Sequence, residues 1–235
     1  MINNVVDIDF AAQKVSIQSK RGAILLLDFK AAFPSMSHDF IWDALRAAGI
    51  PTQFVSVIKM FYFNNRHKLK VKGKLFDSVS VESGVRQGCP LSGVIFAVCA
   101  DLLLRRIQST LGHADLLRAY ADDTAIVIED YVRSLPYLAT IFQEFQTISS
   151  MELNIAKTIF IPLWRSSSPR RLRDHVREIC PPWGKIKIAD YGKYLGFCIG
   201  PGAEDASWKA PLAKFENEII FWSSMRLGLF FSTLA

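Results

Sequence analysis

The stretch Leu116-Leu117-Arg118-Ala119-Tyr120-Ala121-Asp122-Asp123-Thr124-Ala125-Ile126-Val127-Ile128-Glu129 sets two apolar runs of strand length on either side of an acidic pair. Such runs around polar turn residues predict a hairpin over Leu116 to Ala121 and Thr124 to Glu129, with Asp122 and Asp123 at its turn. Successive side chains on a regular strand point to opposite faces, so two adjacent acids converge only where the backbone bends. A hairpin turn supplies that bend. Carboxylates at the end of a buried hairpin are costly unless solvent or a cation compensates their charge. Oxygen donors without His or Cys point to magnesium or manganese rather than zinc. By itself an Asp-Asp pair is ordinary turn chemistry, so its meaning depends on what the rest of the chain brings to it.

Upstream, Gly22 is followed by Ala23-Ile24-Leu25-Leu26-Leu27, an apolar run that stops at Asp28. That pattern predicts a buried central strand delivering a third carboxylate at its end. Three acids can hold two divalent ions, a set suited to in-line attack of a 3′-hydroxyl on a nucleotide α-phosphate. Ser37 is placed to cap a helix through Ile41, Leu45 and Ala48 that Gly49 and Pro51 stop, and a second helix runs through Phe54, Val55, Ile58, Phe61 and Tyr62. Leu69 and Val71, then Val79 and Val81, alternate around a turn near Gly73, predicting a hairpin whose other face carries Lys68, Lys70 and Lys72.

A long helix follows Ser92 through Ile95, Cys99, Leu103 and Ile107 to about Gly112, and another covers about Leu135 to Met151 before a strand at Thr158 to Leu163. Arg165 to Arg173 reads as a solvated loop or helix start. Ile186 to Ala189 and Tyr194 to Ile199 read as short strands around Gly192, with a break at Gly200 to Gly202, and Trp208 to Leu229 as an amphipathic helical stretch.

The chain has 235 residues, half of them hydrophobic, enough to bury at least one full core. Lys and Arg outnumber Asp and Glu by 28 to 22, and the resulting charge of +6 favours polyanionic partners without naming one. Cys89, Cys99, Cys180 and Cys198 lie far apart, with no zinc-finger spacing, and read as reduced thiols. Met1 to Phe10 lacks the basic flank of a secretory signal. Leu91 to Leu104 is too short to span a membrane and contains Asp101. The expectation is an intracellular protein, nuclear or cytoplasmic, with no membrane span.

Taken together, the motifs resemble those of the reverse transcriptases of non-LTR (LINE-type) retrotransposons, in the family's order and over most of the chain. Leu26-Leu27-Asp28-Phe29-Lys30-Ala31-Ala32-Phe33 resembles the first catalytic motif, and Gly84-Val85-Arg86-Gln87-Gly88-Cys89-Pro90-Leu91-Ser92 the nucleotide-positioning segment. Tyr120 to Asp123 resembles the acidic hairpin, Leu153-Asn154 with Lys157-Thr158 the fourth motif, and Tyr194-Leu195-Gly196 the primer-gripping turn.

The resemblance implies an α+β fold, a right-hand polymerase palm with partial fingers over residues 1–200 and the start of a truncated thumb over residues 201–235. It implies that Asp28 and Asp122 bind two magnesium ions, with manganese an alternative, that Asp123 supports them, and that the Phe29 carbonyl joins the metal shell. Phe33 would be the steric gate against a ribose 2′-hydroxyl, with Ala31 and Ala32 beside it. Arg86, Gln87 and Gly88 would touch the incoming nucleotide and its template base, and Lys157 would protonate the departing pyrophosphate. Tyr194, Leu195 and Gly196 would position the primer end. Implied partners are template RNA, a DNA primer and deoxynucleoside triphosphates; the oligomeric state is left open.

Three positions depart from the family pattern: Pro34 stands where Asp is common, Gly93 where Pro is common, and Ser150 where Gly is common. The resemblance places further fingers sequence before Met1 and cuts the thumb short near Ala235. Two other readings stay open: a truncated or decayed copy that folds and binds nucleic acid without catalysis, and an unrelated metal-dependent phosphotransferase with a similar acid hairpin.

Overall fold

The structure is a computed structural model that describes residues 1–164 and 168–224, with side chains apart from those at 67 and 77–79. Its elements in chain order are α1 (Ile2–Gln18), β1 (Ala23–Leu27), β2 (Phe29–Lys30), α2 (Ala32–Ser35), α3 (His38–Ala47), α4 (Thr52–Tyr62), β3 (Arg66–Val71), β4 (Lys74–Ser80) and α5 (Pro90–Gln108). There follow β5 (Leu116–Tyr120), β6 (Asp123–Ile128), α6 (Tyr131–Ser149), β7 (Glu152–Leu153), β8 (Ile159–Pro162), α7 (Pro169–Ile179), β9 (Lys187–Ile188), β10 (Gly192–Tyr194), β11 (Phe197–Ile199) and α8 (Ala206–Ser224).

The central sheet has the order β5-β6-β1-β8-β9, antiparallel except for the β8–β9 edge. All five residues of β1 are buried, which explains why its sequence reads as a continuous apolar run rather than an alternation. The two faces have different coverings. Ala23, Leu25 and Leu27 join Ile126, Ile128 and Phe160 in a large core built with α3, α4, α5 and α6. Ile24 and Leu26 join Ala125, Val127 and Ile161 in a smaller core closed by Ile8, Ala12 and Val15 of α1 and by Tyr194 and Ile199.

The expected α+β class and central hairpin hold. Ser37 caps α3 by accepting from the Phe40 N–H at 3.1 Å, and Asp130 caps α6 by accepting from the Val132 N–H at 3.0 Å. That cap starts α6 four residues before the expected Leu135. Pro90 begins α5 at its first position, where a missing N–H costs nothing. Arg165 to Ser167 and residues 225–229 of the expected last helix lie outside the described residues; from Ser168, which caps α7, the stretch is a helix start, one of the two readings its sequence allowed.

Four features differ from expectation. Helix α1 was not foreseen. The two-residue pair β2–β7, with Phe29 opposite Leu153, carries no periodic signal at all. The β3–β4 hairpin forms around Lys72 and Gly73, but Leu69 and Val71 are 60% and 53% exposed; among the described residues its two strands pair only with each other, and these two side chains stay uncovered. Gly192 lies inside β10 rather than at a turn. A Cβ there would stand 2.5 Å from Leu26 Cδ1, so the glycine lets the β10–β11 hairpin lie against the sheet. The turn falls instead at Leu195 and Gly196, both at positive φ.

Among the described residues no helix is long and apolar enough to cross a membrane, and all four cysteines are free, with burial pushing the Cys99 thiol up to about 12. Phe160 is fully buried and meets Tyr131 edge-on at 5.4 Å. Truncating a buried aromatic in a central strand costs about 3–5 kcal/mol, so Phe160→Ala is expected to lower the denaturant midpoint of unfolding by that stability, read by chemical denaturation.

Candidate active site

Strand pairing brings the three acids together. The β1–β6 register runs from Ala23 opposite Ile128 to Leu27 opposite Thr124, so Asp28, one residue further, stands across from Asp123. Residues directly opposite in an antiparallel pair share a face at a Cα separation of about 4.5–5.5 Å. Alternation puts Asp28 with Ile24 and Leu26, and Asp123 with Ala125 and Val127, on the sheet face that carries α1 and the β10–β11 hairpin. Asp122 occupies the turn beside them, next to Ala121 at φ +53. Asp28 is half-buried, while Asp122 and Asp123 are exposed.

The electrostatics agree with this placement. Partial loss of hydration pushes the Asp123 carboxyl above its ordinary value, and the negative charges of Asp122 and Asp28 push it further. Asp123 in turn helps to raise the Tyr194 phenol, whose larger cause is its own burial. The carboxylates thus share one field and supply the hard oxygen donors a divalent ion takes. Among the described residues no three His, Cys, Asp or Glu side chains stand close enough to enclose a metal ion, so the aspartates share an edge and a field rather than a closed ligand shell.

A second set of bonds fixes Asp28 from below. Its carbonyl accepts from the Asn154 N–H at 2.6 Å, and its own N–H donates to Thr158 Oγ1 at 3.3 Å. Thr158 is fully buried and donates to the Asn154 carbonyl at 2.9 Å. The Lys157 N–H closes the same turn on Asn154. This network leaves the Lys157 side chain exposed one residue from a group bonded to Asp28. Asn154 and Thr158 belong to the stretch that resembles the fourth motif, but only Lys157 was given a role there; the bonds that tie them to Asp28 were missed, and a Thr in an otherwise apolar strand start was the available hint.

Phe33 is half-buried and stacks on Phe96 of α5 at 4.2 Å and 15°. Its carbonyl accepts from the Val85 N–H at 2.9 Å, and the Gly84 N–H donates to the Met36 carbonyl at 2.6 Å. The Gly84–Val85 stretch is thereby tied to the loop that follows Asp28. Gly84 is required on two counts: φ is +81, and a Cβ would stand 2.5 Å from the Pro34 carbonyl oxygen. Arg86, Gln87 and Gly88 line a cleft of about 620 Å³ with Pro34 and Asn65.

Ala32 is buried and Ala31 is exposed at φ +48. Tyr194 is buried with its hydroxyl 3.2 Å from the Arg118 carbonyl, so it pins the turn rather than presenting itself, while Gly196 is exposed. Of the departures, Pro34 sits in the first turn of α2, where no N–H is needed. Ser150 ends α6 at φ +64, a helix-end conformation that glycine adopts at least cost.

The reverse transcriptase (RNA-dependent DNA polymerase) family model matches residues 2–199. Curated relatives include the Pol polyprotein of retrotransposable element R2DM from Drosophila melanogaster, 33% identical over 56% of this chain and 13% of that protein. An R2 Pol polyprotein from Bradysia coprophila is 29% identical over 81% of this chain and 23% of its own length. The transposon TX1 149 kDa protein of Xenopus laevis is 31% identical over 58% of this chain and 11% of its length. The chain therefore spans about a tenth to a quarter of these relatives.

Among solved structures, an apo telomerase from Candida Tropicalis superposes with a TM-score of 0.60 at 12% identity, over 89% of this chain and 37% of that one. A second, truncated from its C-terminal domain, gives 0.59 at 14% identity, over 85% and 38%. At such identity the likeness speaks to the fold, which is that of a polymerase palm. With nearly all of its sheet and site inside the matched span, the chain belongs to the reverse transcriptase family.

Proposed function

We propose that this chain is the polymerase core of an RNA-directed DNA polymerase, extending a DNA primer on template RNA with deoxynucleoside triphosphates. The observation that carries the reading is the meeting of Asp28 and Asp123 on one sheet face, with Asp122 in the adjoining turn. Side chains more than ninety positions apart in sequence have no structural reason to crowd three negative charges at one exposed strand end. Magnesium, or manganese, held by Asp28, Asp122, Asp123 and the Phe29 carbonyl would activate the primer 3′-hydroxyl and stabilise the leaving pyrophosphate.

The other residues have roles that follow from where they sit. Phe33, held by its stack on Phe96, fills space beside the sugar and excludes a 2′-hydroxyl, with Ala31 and Ala32 shaping the backbone there. Arg86, Gln87 and Gly88 meet the nucleotide and template base from the cleft. Lys157 delivers a proton to pyrophosphate as a general acid. The turn at Tyr194, Leu195 and Gly196 lies over the same sheet face as the acids and bears on the primer end. Residues 1–200 constitute palm with part of the fingers, and residues 201–235 belong to a thumb. Across that boundary α8 is tied to the sheet side through Ser207, whose hydroxyl accepts from the Cys198 N–H at 2.7 Å.

Crowding the acids also costs stability. The folded state raises the Asp123 carboxyl above its unfolded value, so it favours the protonated form. The stability this contributes is complete below the unfolded pKa and is lost as pH rises through the folded one.

Three outcomes are expected. Asp122→Asn with Asp123→Asn lowers magnesium-dependent primer extension on RNA roughly 1000-fold or more, removing charge stabilisation from the reacting centre; undiminished extension refutes the assignment. Phe33→Val raises incorporation of ribonucleotides relative to deoxynucleotides by roughly 10- to 100-fold, in single-nucleotide extension. Asp123→Asn alone melts above the unsubstituted protein at pH 7, and the gap closes as pH falls through the carboxylate range, read by thermal melts across pH.

A further inference from the structure

The Arg86 segment is held by side chains that belong to none of the five motifs. Gly84 presents its carbonyl to His38 Nε2 at 3.0 Å. A carbonyl can only accept, so Nε2 carries the proton and donates. The Arg86 N–H donates to the Tyr62 hydroxyl at 3.4 Å, and the Arg86 guanidinium stands 6.0 Å over the Tyr62 ring. The same guanidinium donates from Nη2 to Asn65 Oδ1 at 2.8 Å. His38 and Tyr62 also touch each other edge-on at 5.2 Å, and both rings rest on Trp42, at 5.7 and 5.4 Å. Tyr62 and Trp42 are buried, so this aromatic trio is a rigid platform.

We infer that His38, Tyr62 and Asn65 are positioning residues for nucleotide selection: they hold the Gly84–Arg86 backbone and aim the Arg86 side chain into the cleft. The inference rests on the polymerase reading of that cleft. Three separate observations support it. The backbone of the segment is bonded at two points, Gly84 and Arg86, by polar groups of one cluster. Arg86 is gripped at both its backbone and its head group, with Ser92 Oγ donating to its carbonyl from α5. The platform comes from α3 and α4 and takes no part in the acid cluster, so it acts on binding of the nucleotide and not on the reacting centre.

His38 is the sharpest probe, because its contact to the segment is one polar bond on a packed ring. His38→Phe keeps an aromatic ring against Trp42 and Tyr62 but cannot donate; His38→Gln restores an N–H donor of similar reach. Tyr62→Phe likewise removes only the hydroxyl. The experiment is steady-state primer extension on an RNA template, with the KM for the deoxynucleotide, kcat, primer–template affinity and melting temperature measured for each variant.

The expected result is a KM for deoxynucleotide raised roughly tenfold in His38→Phe and in Tyr62→Phe, the scale on which one lost hydrogen bond is read. Expected alongside it are a much smaller change in kcat, unchanged primer–template affinity and return of KM toward the original value in His38→Gln. An unchanged KM in both ring variants overturns the inference, as does a KM rise that His38→Gln does not reverse or that follows the loss of melting temperature. In those cases the acids' assignment stands. An unsubstituted protein that extends no primer on RNA overturns the polymerase reading and this inference with it.

Discussion

The site depends on a single alignment, the register in which β1 lies between β6 and β8. Leu27 opposite Thr124 and Leu26 opposite Ile159 are its last paired positions, and Asp28 emerges directly after them. A slip of one residue reverses the face of every side chain on a strand. It would turn Asp28 from the α1 side into the large core beneath α5 and α6, and would leave Leu27 facing the acids. Burying an unpaired carboxylate there costs several kcal/mol, so the hydrophobic sorting of Ala23, Leu25 and Leu27 from Ile24 and Leu26 is also what aims the first aspartate. Core packing and catalytic geometry are one constraint at this strand.

Around that alignment the structure tolerates local strain. Ala31, Ala121 and Leu195 each adopt a left-handed backbone without being glycine, at about 1–2 kcal/mol apiece. Each lies in a different segment of the site: after Asp28, in the acid turn, and in the turn over the same face. Partial loss of hydration and, after it, the neighbouring like charges add a further cost, both of which raise the Asp123 carboxyl. Two cores, one on each face of the sheet, offset these terms. Strain gathered where it re-aims backbone is common at functional sites, and here it falls on turns whose direction decides which side chains meet.

How much of this was legible in the sequence follows from where the signals lie. The buried run ending at Asp28 and the acid hairpin were readable, because burial on both faces writes a continuous apolar stretch and a turn interrupts it. Helix α1 was not, since only Ile8, Ala12 and Val15 of its residues are buried while Ile2, Val6, Phe10 and Ile17 on its exposed side are also apolar, which blurs the helical period. The β2–β7 pair is two residues long. Gly192 signalled a turn by type, although its role is close packing against Leu26. Leu69 and Val71 alternate as a half-buried strand would, and nothing in a sequence reports whether a second layer arrives to cover them. Of the site, the acids and the motif order were legible; the Asn154–Thr158 brace and the His38–Tyr62 platform were not, because ordinary polar residues acquire such roles only through tertiary contact.

The acids and the Gly84–Arg86 segment are anchored in different ways, which under the proposed function would separate chemistry from selection. Asp28 and Phe33 are five residues apart, so their Cα atoms can lie no more than about 18 Å apart, and closer once the chain turns from β2 into α2. Covalent linkage therefore fixes the distance from the Asp28 carboxylate to the Phe33 ring within narrow limits whatever happens elsewhere. Arg86 has no such tether: more than fifty residues intervene between it and Phe33, including the exposed β3–β4 hairpin. Its position relies on the Phe33–Val85, Met36–Gly84 and His38–Gly84 bonds and on the Tyr62 platform. Disturbance reaching the chain between α4 and α5 would thus shift Arg86 before it moved an aspartate. Under the proposed function, the reacting centre would be set by the sheet, and the choice of nucleotide by a loop that the helices hold in place.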